Sequence, residues 1–320
     1  WIFLITTILT WILLYLYFHD WRGALRPTIT GVISAIWGLG FINLIGLSFD
    51  PLALDWKAAS LAVIAAVLAA AFMHAAWNTL AKWRSAQSGD AVMVGIAAAI
   101  PAIVVAPWVG WPARDCWPQL VATAIIHFFY FRILAAAYAR GALSVAYPLM
   151  RGVPPLLSGL GATVVFNEVL SPAAWLAICA LLAGVLLLGW DGFRKGSIDK
   201  ATARWVTIQI GIIVAYTLVD ASGARASTSA FNYVVWMFIL TSAALIVPAR
   251  SSVTRLLREG SRSVLLAVIA GGLTFGSYGV ALWAMTAAPV ALVAALRETS
   301  ILFGAGLGAW LLKERFGAHR

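Results

Sequence analysis

The feature that most constrains this chain is the recurrence of apolar runs about 20 residues long, cut by short clusters of charge, Pro/Gly or Ser. A run of that length matches the hydrocarbon thickness of a bilayer when wound as an α-helix. Of the 320 residues, 62% are hydrophobic and only 11% are charged, against about 25% charged in a soluble domain. A bilayer core cannot satisfy open backbone groups, and no succession of short alternating strands is present to build a barrel. The expected fold class is therefore an all-α polytopic membrane protein. Eleven spans are predicted: 1–18, 28–49, 58–80, 91–109, 118–138, 142–166, 172–190, 204–222, 230–248, 264–285 and 289–312.

Lys and Arg orient these spans, because cytoplasmic loops carry the excess. One set of alternate loops holds 16 of the 22 basic residues, among them Arg22, Arg26, Lys82, Arg84, Arg194, Lys195, Arg250, Arg255, Arg258 and Arg262. The opposite set holds three, Lys57, Arg114 and Arg225, and the last three, Arg132, Arg151 and Arg297, fall within spans. Loops 19–27, 81–90, 191–203 and 249–263 are thus expected to be cytoplasmic, and the expected location is a bacterial inner (plasma) membrane. The net charge of +10 is spread over these loops, with no basic face of interleaved polar and aromatic groups for nucleic acid. Cys116 and Cys179 fit no metal spacing or disulfide framework, and no cofactor is called for. The opening run has no basic leader or small-residue cleavage site, so it is not read as a signal peptide, and a first residue of Trp1 places the true start upstream.

Two stretches differ in character. LYFHDWRGALRPTITGVISAIWGLGFINLIGLSFDPLAL, Leu16 to Leu54, resembles the second and third membrane helices of resistance–nodulation–division exporters, with HDWRGALRP as the short basic turn between them. In that superfamily the turn is cytoplasmic. Residues 1–54 are either a hairpin belonging to this protein or an exporter fragment joined near Asp55. The exporter's carboxylate-bearing helix is absent, so no proton relay is assigned to this segment. From Trp56 onward, HAAWNTLAKW at His74–Trp83, AYPLMRG at Ala146–Gly152 and LRETSILFGAGLGAWLLKERFG at Leu296–Gly317 resemble the EamA-type branch of the drug/metabolite transporter superfamily. The resemblance implies ten helices in two five-helix halves, here 56–190 and 203–320, and secondary transport of small metabolites. It also implies a tenth helix after Lys313–Gly317, which would lie beyond Arg320.

An internal repeat supports this division. Arg151 and Arg297 are 146 residues apart, as are Glu168 and Glu314; His74 and Tyr216 are 142 apart, as are Asn78 and Asp220. A period this long marks halves, not solenoid units. An odd number of helices per half turns the second half upside down, the inverted plan of carriers whose sites lie near the midplane.

Polar groups inside spans need a partner or a wet cavity. His74 and Asn78 share a helix face at i,i+4 with Trp77 beside them; Tyr216 and Asp220 repeat that spacing, as do Tyr147 and Arg151, with Arg297-Glu298 at the matching point of the other half. These nine residues are the expected substrate-binding set. Each has a bland alternative. His74 could be a neutral histidine on a backbone carbonyl, Asn78 and Asp220 caps or interfacial residues, and Trp77 a lipid-facing ring. Glu168 and Glu314 are expected to play an end-of-helix role, and His127 and Arg132, near Tyr130, are set aside as packing residues. Arg151 lies roughly 14 Å into its span, where an arginine costs about 2.5–3.5 kcal/mol. It either takes an anionic substrate group or forms a static ion pair, for example with Asp220 or Glu298. Pro148, Pro154 and Pro155 are expected to kink its helix. Gly272 with Gly276, and Gly304 with Gly308, are expected to let helices approach closely.

The leading expectation is a carrier, not an enzyme, that moves a small polar metabolite by rocking its halves within membrane lipid. Proton coupling through His74, Asp220 or Glu298 is open. No GxxxxGK[ST] loop is present for an ATP-driven pump, and four scattered histidines without HExxH make a poor intramembrane enzyme. The alternative is a non-functional remnant of fusion and truncation.

Overall fold

A computed structural model describes residues 54–84, 90–140, 149–194, 200–301, 303, 304 and 307. The spans expected at 1–18 and 28–49 lie outside the described residues, as do Tyr147, Pro148, Gly308 and Glu314. Among the described residues all regular structure is helical. The order is α1 (Leu54–Arg84), α2 (Asp90–Ala97), α3 (Ala99–Val109), a short 3-10 turn (Arg114–Cys116), α4 (Trp117–Arg140), α5 (Pro154–Val165) and α6 (Pro172–Arg194). There follow α7 (Lys200–Ala226), α8 (Ala230–Ile246), α9 (Arg250–Arg258), α10 (Ser261–Ala287) and α11 (Val290–Arg297).

Among the described residues four stretches are long and apolar enough to cross a membrane: Ala62–Leu80 in α1, Val92–Val109 through α2 and α3, and the whole of α7 and α10. Helices α8 and α9 make a fifth if counted as one span bent by 93°, while Leu149–Val165 and Pro172–Gly184 are apolar but shorter. The chain is a helical integral membrane protein; the count of four or five is of the described residues, which do not hold all of the eleven expected spans. The stretch 249–263, expected as a loop, instead contains α9, whose Arg250, Arg255 and Arg258 leave no residue buried. A nine-residue helix of that composition is invisible to a hydropathy window.

Prolines shape the interior. The expected span 91–109 is divided at Ala98, because Pro101 offers no N–H to Ala97 and its ring crowds that carbonyl. Gly271 of α10 packs against this break: a Cβ there would stand 2.5 Å from the carbonyl carbon of Ala97 and 2.6 Å from the nitrogen of Ala98. Gly271 is therefore the close-approach residue, whereas of the expected pair Gly272 has nothing within 4 Å and Gly276 meets Met73 Sδ at 3.4 Å. Gly271 and Gly272 are about 100° apart around the helix, which decides the matter. In the same way the helix assignment is interrupted at Val153 ahead of Pro154 and Pro155, although Val153 keeps helical dihedrals (φ −78°, ψ −40°).

Helix α1 runs along α10, and α4 along α7. Helix α8 lies on α3 and α4, α10 also on α2 and α3, and α11 on α1 and α5; α5 in turn meets α7. Each of these contacts joins a helix of 54–194 to one of 200–301. The core at their centre includes Val67, Leu120, Tyr233, Met237, Leu282 and Val290, all fully buried. At one end Ser229 caps α8 by accepting from the Asn232 N–H, while Asn232 Nδ2 and Trp236 Nε1 donate to the carbonyls of Val109 and Gly110 that end α3.

Candidate functional site

Arg151 stands in the helical turn before the Val153 break. Pro154 and Pro155 have no N–H, so the carbonyls of Met150 and Arg151 lack their usual helix donors. From across the packing seam comes the end of α11. Here the backbone tightens: Glu298 N–H donates to Ala295 and Thr299 N–H to Leu296, both three residues back. That turn carries Glu298 and Ser300 to Arg151. Arg151 Nε lies 3.1 Å from Glu298 Oε2, and its Nη2 donates to Ser300 Oγ at 3.1 Å, with Arg151 18% and Glu298 8% exposed. Of the two ion-pair partners expected for Arg151, the structure selects Glu298 and not Asp220.

Asp220 is occupied elsewhere. It is fully buried within α7, which overturns the capping or interfacial reading. Tyr233 of α8 donates its hydroxyl to Oδ1 at 2.9 Å and Tyr278 of α10 donates to Oδ2. On α4, Thr123 Oγ1 and His127 Nδ1 stand 3.0 Å apart. The ring of Tyr278 also carries the Arg297 guanidinium, 5.4 Å from its centroid.

His74, Trp77 and Asn78 form a local group on α1. Trp77 Nε1 donates to His74 Nδ1 at 3.3 Å with the rings edge to face, and Asn78 Nδ2 donates to the His74 carbonyl at 2.7 Å. The histidine thus uses an indole partner in place of the expected backbone carbonyl. Tyr216 is the hub of a row of rings: His127 at 4.9 Å, Tyr130 at 5.8 Å and Tyr278 at 6.2 Å between centroids. His74, His127, Tyr130, Tyr216, Tyr278 and Arg297 all keep part of their surface accessible. Eight of the nine expected residues are thereby described: Arg151 meets Glu298, Asp220 and Arg297 share Tyr278, Tyr216 stands on the same row of rings, and His74, Trp77 and Asn78 form a group of their own on α1.

A second ionic site lies at the other end of α5. Asn167, in a left-handed conformation at φ 53°, turns the chain out of α5 and sets Glu168 against Arg225 at the end of α7. The other Glu168 oxygen accepts the Val290 N–H at 2.9 Å, which satisfies one of the open donors at the start of α11. Arg225 Nε and Nη2 both donate to the Met285 carbonyl near the end of α10, at 3.1 and 2.8 Å. Glu168 therefore fixes helix ends, as expected of it.

Sequence reasoning set His127 aside and passed over Tyr130, Tyr233, Tyr278, Ser300 and Gln209. His127 had the available signal, an imidazole near the middle of an apolar run. The tyrosines had none, since their rings read as core. Gln209 of α7 is fully buried with neither amide atom hydrogen-bonded. Among the described residues no group of three or more His, Cys, Asp or Glu could hold a metal ion. An open groove of about 290 Å³ between α4 and α8, lined by Trp117, Val121, Ile125, Phe128 and Leu240, is apolar and opens on another face of α4. It suits an acyl chain, not a polar solute. Compared with known proteins, the chain matches no family model and no curated protein.

Proposed function

We propose that the chain is a secondary carrier, not an enzyme, for a small polar metabolite, working by alternating access between two inverted halves. The observation that carries this reading is the gathering of Arg151, Glu298, Asp220 and Arg297, from helices of both halves, inside an otherwise apolar helical body. Charges so placed are expensive unless they serve a path or a site. The resemblance of HAAWNTLAKW, AYPLMRG and LRETSILFGAGLGAWLLKERFG to EamA-type drug/metabolite transporters points the same way.

The packing supports the inverted repeat. If α1, α2–α3, α4 and α5 correspond to α7, α8, α10 and α11, a two-fold exchange of halves turns one contact into another. The α1–α10 contact becomes α7–α4, α1–α11 becomes α7–α5, and α4–α8 becomes α10 with α2–α3; α3–α8 and α5–α11 map onto themselves. Every one of these contacts occurs. In this orientation the basic α9 faces the cytoplasm of a bacterial inner membrane and the Glu168–Arg225 site faces outward. His74, Asp220 and Glu298 are the groups available for proton coupling.

Counterflow into proteoliposomes tests the carrier reading. A panel of anionic, neutral and cationic metabolites is expected to yield saturable uptake of at least one. Flat uptake across all three charge classes would sink it.

A further inference from the structure

We infer that the carried solute is an organic monoanion, a carboxylate on a flat unsaturated body, with Arg297 as the residue that takes its charge. This rests on the carrier reading and deepens it. The two arginines are equivalent by position in the repeat yet differ in what they hold. Arg151 is committed to Glu298 and Ser300. Arg297, adjacent to Glu298 in sequence, points to the Tyr278 ring, and its Nε is buried without a hydrogen-bond partner. No carboxylate among the described residues lies at ion-pair distance from it. Glu298, its neighbour in sequence, is taken by Arg151, and Asp220, on the far side of Tyr278, has an oxygen occupied by each of two phenols.

A guanidinium surrounded by apolar helix needs water or an anion at its unused N–H groups, and its fork matches a carboxylate. One uncommitted guanidinium supplies one unit of charge, which favours a monoanion and repels a cation. The row Tyr278, Tyr216, His127 and Tyr130 supplies ring faces beside Arg297, suited to a flat body.

The test measures binding of radiolabelled benzoate to the purified chain in lipid nanodiscs, since benzoic acid crosses bilayers unaided and would blur an uptake assay. Benzamide, the same ring without charge, and benzamidine, the same ring with positive charge, serve as competitors. Saturable benzoate binding is expected, with benzamide at least tenfold weaker and benzamidine not displacing it. R297Q is expected to weaken benzoate at least tenfold at an unchanged melting temperature, with R297K between the two. Absence of saturable benzoate binding, benzamide or benzamidine competing as well as benzoate, or R297Q binding like the unaltered chain overturns the inference. Should R297Q unfold, the benzoate-to-benzamide ratio on the unaltered chain decides alone. Uptake of a neutral or cationic metabolite would leave the carrier standing without its anion; flat uptake of every class removes both.

Discussion

The two ionic sites of this protein are built to opposite standards. At the C-terminal end of α5, both Glu168 oxygens have partners, and Arg225 divides its donors between Glu168 and the Met285 carbonyl. Four chain segments meet there: the turn after α5, the end of α7, the end of α10 and the start of α11. Inside the bundle, polar groups are left over: the donors Arg297 Nε and Gln209 Nε2 and the acceptor Gln209 Oε1 are buried without a hydrogen-bond partner. A saturated network fixes structure, while a buried site with spare donors is costly by itself and is repaid only by a ligand or by water. The difference separates a clasp from a receptor.

The clasp should break hardest. R225A strands Glu168, only 11% exposed, and removes both donors from the Met285 carbonyl. Removing one partner of a buried pair costs about 3–5 kcal/mol; because Arg225 is 29% exposed, about 3 kcal/mol is the expected loss, read by chemical unfolding in micelles. E168Q, which keeps an acceptor for the Val290 N–H, should lose less. Equal losses would mean that the charge contributes nothing. The next largest effect strikes the interior through packing. A Cβ at Gly223 would lie 2.1 Å from Cε2 of the fully buried Tyr233, whose hydroxyl holds Asp220. G223A should cost about 2 kcal/mol by overpacking and should also disturb the ring row, so substrate binding weakens along with stability. A stable G223A with intact binding would show that Tyr233 is not needed to hold Asp220.

How much of this was legible depends on which property a residue's role rests on. Apolar length and charge clusters marked the helices from 54 onward, because in lipid the backbone leaves few other options. The repeat exposed Arg151 and Arg297 as counterparts, but not that one would be paired and the other left open. Pairing depends on the 3-10 turn after Arg297, which rotates Glu298 and Ser300 toward Arg151. Tyr233 and Tyr278 were illegible for another reason: in an apolar run a phenol differs from a core ring by one oxygen, and only the fold aims both at Asp220. Arg225 was counted with the outer loops, and its partner lies 57 residues away. Gly271 and Gly272 illustrate the limit of a spacing motif, since one position of helical rotation exchanges contact for open space.

A smaller effect is expected within the interior pair. E298Q leaves Arg151 an amide oxygen to meet and retains the Ser300 contact, so about 1 kcal/mol should be lost. Its ligand preference should move more than its stability. With the carboxylate neutralised, Arg151 joins Arg297 as a second available cation, and phthalate, a dianion on the same ring, should gain at least fivefold against benzoate. An unchanged phthalate-to-benzoate ratio would mean that Arg151 does not face the same space as Arg297.

The smallest change in stability is expected at Arg297 itself. A clasp residue stabilises the fold through its partners, whereas Arg297 has an unpartnered buried Nε and a ring contact only. Replacing it by Gln removes a charge whose burial is unfavourable and forfeits one cation–π contact, two effects of opposite sign and similar size. The net shift should lie within about 0.5 kcal/mol, and it should become a net gain in the absence of any anion. Added benzoate is the sharper readout. It should raise the melting temperature of the unaltered chain by linkage and leave that of R297Q unmoved, while R225A, though much less stable, should still respond. If R297Q instead loses as much stability as R225A, the interior arginine is a clasp too, and the contrast between the two sites collapses.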